Sequence, residues 1–205
     1  MFTVVKCEQG SPEWFAARLG KITASVLSSV VTPTGKLSAS SDEVVNRAVA
    51  ELIMNEGDRF FVSDAMLRGQ EYEDEAMSFF NFTYDYAFEK AGFLDTGKGY
   101  GCSPDGIDFK NKKGLELKVP LAHTHLAYLA DGGCPRIYKQ QVQGSLLVSG
   151  FDIWVFGSYH PQLPCLRVEV ERDNKIIDPM REHLEKCCKL IQEKYLKIKS
   201  LVEAA

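Results

Sequence analysis

The sequence predicts an α/β layered fold, a mixed central β-sheet flanked by helices, built as one domain over residues 1–205. Three observations predict it. Segments with helical periodicity interleave with segments of strand character instead of separating into blocks. No linker rich enough to divide domains interrupts the chain, and no internal repeat runs through it. With 45% hydrophobic and 25% charged residues over 205 positions, the chain can bury a sizeable core.

Taken in order, Ser11-Pro12-Glu13 reads as a helix start: a capping serine, proline at the first helical position and an acid in the first turn. The helix is expected over Pro12–Leu19, with Trp14, Phe15 and Leu19 packing inward and Gly20 ending it. Thr23 caps a second expected helix, Ser25 to Val31, and Thr32–Ser40 reads as a loop. From Ser41 or Asp42 the spacing of Val44, Val45, Ala48, Val49, Leu52 and Ile53 describes an amphipathic helix closed by Gly57 and Asp58. Ser63-Asp64 opens a helix to about Phe82, with Leu67, Met77 and Phe80 facing inward and acids at Glu71, Glu73, Asp74 and Glu75. Strands are expected at Tyr84–Lys90, Gly99–Ser103, Gly106–Phe109 and Leu115–Val119. A short helix, His123–Ala130, leads through Gly132-Gly133 to a longer one from Pro135 to about Val148. Phe151–Tyr159 and Cys165–Glu171 form a closing strand pair, and a final lysine-rich helix spans about Ile176–Leu201.

Composition narrows the function classes. No run of 18 apolar residues exists, and the N-terminus lacks the charged and apolar regions of a signal peptide, so a soluble cytoplasmic protein is expected. Six scattered cysteines without a C-x-x-C pair argue against a zinc site or a disulfide framework. A formal charge of −4 argues mildly against a general nucleic-acid coat protein, and does not exclude a nuclease whose basic residues line one channel.

The chemistry concentrates in Ser103-Pro-Asp-Gly and Gly114-Leu-Glu-Leu-Lys-Val. Leu115, Leu117 and Val119 alternate with Glu116 and Lys118, so both charged side chains project from one side of a strand. Asp105 lies at a bend between two short strands. Two converging carboxylates suit a hard divalent cation, and a neighbouring lysine can activate water or stabilise charge on a phosphate. The structural alternative is an edge-strand ion pair between Glu116 and Lys118. His123 and His125 diverge on a helix and do not make a metal pair. Cys187-Cys188 reads as packing, and the lysines of the last helix read as a solvated face.

Asp, ten intervening residues, then Glu-x-Lys resembles the pattern of the PD-(D/E)xK nuclease superfamily, with its restriction-endonuclease-like core. Pro12-Glu-Trp-Phe-Ala-Ala-Arg-Leu-Gly-Lys-Ile-Thr-Ala-Ser25 is similar to the opening signature of lambda-type phage exonucleases and YqaJ-like viral recombinases. Arg68-Gly-Gln-Glu-Tyr-Glu73-Asp-Glu-Ala, Cys102-Ser-Pro-Asp-Gly106, Gly114-Leu-Glu-Leu-Lys118 and Gln140-Gln-Val-Gln143 follow in the family's order, over about residues 10–172. The resemblance implies that Asp105, Glu116 and the backbone carbonyl of Leu117 bind metal and that Lys118 acts on the attacking water. It also implies that Glu73 and Gln141 belong to the active site, and that Arg18, Ser25 and Ser103 hold a 5′ phosphate.

The implied activity is Mg2+-dependent 5′→3′ digestion of one strand of duplex DNA, with Mn2+ as a substitute cofactor. It leaves a 3′ overhang for a single-strand annealing protein during phage recombination in the bacterial host cytoplasm. The implied assembly is a homotrimeric ring. Two alternatives remain at this point: an endonuclease on the same fold, and a non-catalytic DNA-binding or scaffold protein. An end-binding pocket favours the exonuclease over the first, and the joint presence of Asp105, Glu116 and Lys118 argues against the second.

Overall fold

The computed structural model describes residues 2–57 and 64–204. Its strands form two four-stranded mixed sheets. In the first, β1 (Thr3–Val5), β3 (Phe93–Asp95), β4 (Tyr100–Cys102) and β2 (Ile22–Thr23) lie in the order β1-β3-β4-β2, with only β2 and β4 parallel. In the second, β5 (Gly106–Asp108), β6 (Lys113–Lys118), β7 (Ile153–Ser158) and β8 (Leu166–Glu171) lie in sequence order, with only β6 and β7 parallel. The expected single sheet is thus divided between β4 and β5. Ser103-Pro104-Asp105 makes the crossing, and Pro104 has no N–H with which to continue a ladder.

Helix α1 (Pro12–Arg18) begins as expected, with the Ser11 side chain accepting from the Trp14 N–H. No residue of α1 is fully buried, and Phe15 is exposed where packing was expected. Gly20 follows at φ +67°, a left-handed conformation that favours glycine. The expected helix after Thr23 is instead a 3-10 helix, Ala24–Ser29, directly continuing β2. Helix α2 (Ser41–Met54) buries Val45, Ala48 and Val49 and ends at Asn55 in the left-handed region, ahead of Gly57. The expected closure at Asp58 and helix start at Ser63 lie outside the described residues.

Helix α3 (Asp64–Tyr84) runs two residues past the expected Phe82. Phe80 and Ala76 are fully buried on it, whereas Leu67 is exposed. Tyr84–Lys90 is not a strand. Asp85 adopts φ +55°, and the Asn81 side chain takes both the N–H and the C=O of Phe88, groups that a ladder would have used. Only a bridge from Glu89 to Ile107 remains of the expected pairing.

Helices α4 (Ala122–Asp131) and α5 (Arg136–Ser149) match their expected spans closely, and α5 packs on the 3-10 helix and on β4. Helix α6 (Asn174–Glu203) begins at an Asp173 cap and buries Ile177, Met180, Leu184, Cys187, Cys188 and Ile191. Lys186, Lys189, Lys197 and Lys199 are exposed on it.

The apolar interior forms two clusters. The larger joins α2, α5 and α6 to the first sheet; the smaller sets α3 against β6 and β7. Trp154 of β7 is fully buried, and its ring lies 2.3 Å from where a Cβ on Gly114 would sit, so β6 needs glycine there.

Candidate active site

Asp105 leaves the first sheet and is received by the second. Its N–H donates to the Leu115 carbonyl at 3.1 Å, and its Oδ2 accepts from the Leu117 N–H at 2.6 Å. Both contacts are to β6, so the bend and the strand that carries Glu116 are one rigid unit. β6 is not an edge: it lies between β5 and β7. Glu116 is 2% exposed, and its Oε1 accepts from Gln141 Nε2 of α5 at 2.6 Å. Lys118 pairs with the same carboxylate and lies 5.4 Å from the centroid of the Tyr138 ring. The ion pair foreseen as the structural alternative therefore exists, but within a cleft and beside a second, half-buried carboxylate, Asp105.

Burial pushes the Glu116 carboxyl up to about 7; Lys118 opposes this and Asp105 adds to it. Asp105 is likewise raised by burial, with Lys118 and the Leu117 N–H opposing. Burial would strip the proton from Lys118, but the two carboxylates outweigh it and hold the ammonium well above its ordinary value. Glu73 on α3 is raised chiefly by burial and then by the charge of Asp105. It stands back from the cleft lining, 3.8 Å from Lys90. Of the four neighbouring acids, Asp74 pairs with Lys90 at 2.5 Å and Glu75 accepts from the Tyr159 hydroxyl.

A polar pocket adjoins the carboxylates. Ser103 Oγ accepts from Trp14 Nε1 at 2.8 Å and from Arg18 Nη1 at 3.1 Å. The Arg18 guanidinium lies 3.8 Å over the Trp14 ring, a stacked cation–π pair at the i, i+4 spacing of one helix. Ser25 Oγ bonds Thr23 Oγ1 at 3.0 Å. Burial lowers Arg18 to about 10, with Glu51 acting in the opposite sense, and the group stays charged at neutral pH. One cleft of about 190 Å³ is lined by Arg18, Ser25 and Ser103 together with Asp105, Glu116, Lys118 and Gln141.

Several residues around the cleft carry no functional signature of their own in the sequence. Trp14 was assigned to packing, yet it forms the platform under Arg18; the Trp14–Arg18 spacing was the available signal. Tyr138 of α5 faces Lys118. Gln9 donates to the carbonyls of Ala91 and Pro104, at 2.9 and 2.8 Å, and lines the cleft. Nothing local in the sequence marks it. His125 is fully buried, its ring nitrogens against Ser158 Oγ and the Pro164 carbonyl, a structural role.

Among the described residues, no three of His, Cys, Asp and Glu gather closely enough to hold a metal by side chains alone. The available set is Asp105 and Glu116, two oxygen-donor acids that repel one another in a buried setting. A hard divalent cation fits that set, because it would stabilise the charged carboxylates that burial disfavours at both groups and that the Asp105 charge further disfavours at Glu116.

Two mixed sheets flanked by helices, with Asp105 and the Glu116-x-Lys118 strand converging on one cleft, define a protein of the PD-(D/E)xK type. The chain belongs to the YqaJ-like viral recombinase domain family, whose model matches residues 13–152. It is similar to an alkaline exonuclease, LHK-Exo, from Laribacter hongkongensis, with 26% identity over 95% of this chain and 100% of that one and a TM-score of 0.84. The same exonuclease in complex with dAMP matches with a TM-score of 0.83 at 26% identity, over the same shares of the two chains. A phage-related exonuclease from Haemophilus somnus 129PT shares the fold at 16% identity, covering 87% of this chain and 96% of that one, with a TM-score of 0.67. No curated protein matches the chain. No helix among the described residues is long and apolar enough to cross a membrane.

Proposed function

We propose that this protein is a Mg2+-dependent exonuclease that digests the 5′-ended strand of duplex DNA from a phosphorylated end and leaves a 3′ single strand. One observation carries the reading: a single cleft joins a guanidinium-and-hydroxyl pocket to the buried Glu116, the half-buried Asp105 and a lysine. A guanidinium flanked by hydroxyls suits a terminal phosphate, through charge-assisted hydrogen bonds. An end-gripping pocket beside the cutting groups favours an exonuclease over an endonuclease. The dAMP complex of the similar alkaline exonuclease supports a nucleotide product.

In this reading Asp105 and Glu116 hold Mg2+, with Mn2+ as a substitute and the Leu117 carbonyl as a further ligand. The cation would neutralise charge developing on the scissile phosphate. Lys118, held against the Tyr138 ring, orients the attacking water and balances the carboxylates. Gln141 fixes Glu116 through its amide, and Glu73 adds negative charge behind Asp105. Arg18, Ser25 and Ser103 keep the 5′ phosphate in register.

The same reading extends to a homotrimeric ring around the DNA, to a single-strand annealing protein that receives the overhang, and to the bacterial cytoplasm, with a phage or prophage origin. Incubation of linear and closed circular duplex with Mg2+ tests the activity. Loss of linear DNA alone, stopped by a chelator, supports it. Opening of the circle would instead indicate an endonuclease, and survival of both substrates a non-catalytic protein.

A further inference from the structure

We infer that Glu51, on α2, is a positioning residue for the 5′-phosphate pocket: by holding the Gly20 N–H it fixes the turn that carries Arg18. The inference rests on the proposed role of Arg18. Glu51 Oε2 accepts from the Gly20 N–H at 2.9 Å, across 31 residues of sequence. The neighbouring Leu52 closes on the same glycine, its Cγ 2.4 Å from where a Cβ would lie. Gly20 is buried and left-handed, so this turn has little freedom while α2 is seated against it.

The turn is tied on its other side as well. Lys21 N donates to the Arg18 carbonyl at 3.0 Å, and Lys21 Nζ bonds Ala17 O at 2.8 Å and Asp95 at 2.6 Å. Arg18 is therefore presented from a clamped loop, and Glu51 is the clamp contributed by α2. A second cavity, of about 100 Å³, lies behind the pocket; it is lined by Glu51 and shares Arg18, Thr23 and Ser25 with the cleft. Arg18 thus lines both spaces, its guanidinium held by Ser103 and the Trp14 ring and its backbone, at the end of α1, leading directly into the clamped turn. The electrostatics agree, since the Glu51 charge favours the charged guanidinium against its burial. A planar guanidinium reading a phosphate through paired hydrogen bonds depends on its geometry, so displacing it weakens the site.

The test is binding, measured with chelator present, of 5′-phosphorylated and 5′-hydroxyl duplexes to the full chain by fluorescence anisotropy. Glu51→Ala should lose about tenfold in affinity for the phosphorylated end, and with it most of the preference over the hydroxyl end. Glu51→Gln keeps an oxygen that accepts from Gly20, so it should retain the preference. Glu51→Met, which keeps the stem but has no comparable acceptor, should follow alanine, and serves if the alanine variant is too unstable to assay. Retained preference in Glu51→Ala and Glu51→Met would overturn the inference while leaving the phosphate pocket standing. Loss in Glu51→Gln equal to that in alanine would also overturn it, because charge rather than the Gly20 contact would then be responsible. A parent protein with no preference for phosphate would overturn both this inference and the assigned role of Arg18.

Discussion

Without metal, this protein should become more stable as the pH falls from neutral towards the ordinary range of a carboxylic acid. Glu116 titrates at about 7 in the folded chain against an ordinary value of 4.5. A folded-state value raised in this way means that folding favours the protonated acid. The contribution is fully present below 4.5 and is lost as the pH rises through about 7. At about 1.36 kcal/mol per pH unit, the interval corresponds to an upper value of about 3 kcal/mol. Asp105 is displaced in the same direction and adds to the trend. Asp108 and Glu169 are displaced downward, so their contributions fade only below 3.8 and 4.5, outside this window. His160, held below its ordinary value, works in the opposite sense, so a Glu116→Gln variant is needed to isolate the carboxyl. Urea denaturation followed by tryptophan fluorescence, at a series of pH values with chelator present, measures the effect. The parent should gain stability on acidification through the window, and Glu116→Gln should lose most of that slope. Mg2+ should shrink the parent's slope, because a bound cation favours the charged carboxylates that burial otherwise disfavours. A parent whose stability rises with pH across this window, or a Glu116→Gln variant with the parent's slope, would refute the reasoning.

Lys118→Ala should reduce cleavage of linear duplex by several orders of magnitude while DNA binding persists. Its melting temperature should fall little, because Glu116 can take up a proton when its partner is removed; near-normal cleavage would remove Lys118 from the mechanism. Arg18→Ala should erase most of the difference in degradation rate between 5′-phosphate and 5′-hydroxyl ends, and an unchanged rate ratio would mean that the pocket binds something else. Gly114→Ala forces a methyl group into the buried Trp154 ring and should destabilise the fold by about 1–3 kcal/mol, read as a lower urea midpoint. Light scattering coupled to size exclusion should give three times the chain mass at micromolar concentration, and a monomer would rule out the ring.

The parts of the fold legible in the sequence are those with a long period or strong punctuation. Helix α2 announced its face through Val45, Ala48 and Val49, and α1 announced its start through Ser11 and Pro12. Strands β1 and β3 are three residues each and leave no period to detect. Tyr84, Tyr86 and Phe88 alternate like a strand because they pack on the smaller apolar cluster. Their backbone is nevertheless held by Asn81, which a period cannot reveal. In the site, Asp105, Glu116 and Lys118 are close in sequence and their convergence could be read from it. Gln9 reaches Pro104 across 95 residues and Glu51 reaches Gly20 across 31, so neither leaves a local trace.

The crossing between the two sheets acts as a caliper. Ser103 bonds Arg18 in the proposed end-gripping pocket and Asp105 is fastened to β6, with only Pro104 between them. Two residues of chain span at most about 7 Å, and the proline ring stiffens that short span. Under the proposed activity, the distance from the captured phosphate to the cut is written into covalent bonds and cannot drift with loop motion. The length of the released fragment is then a property of this tripeptide, and an inserted residue between Ser103 and Asp105 would change what the enzyme bites off before it changed how fast it bites.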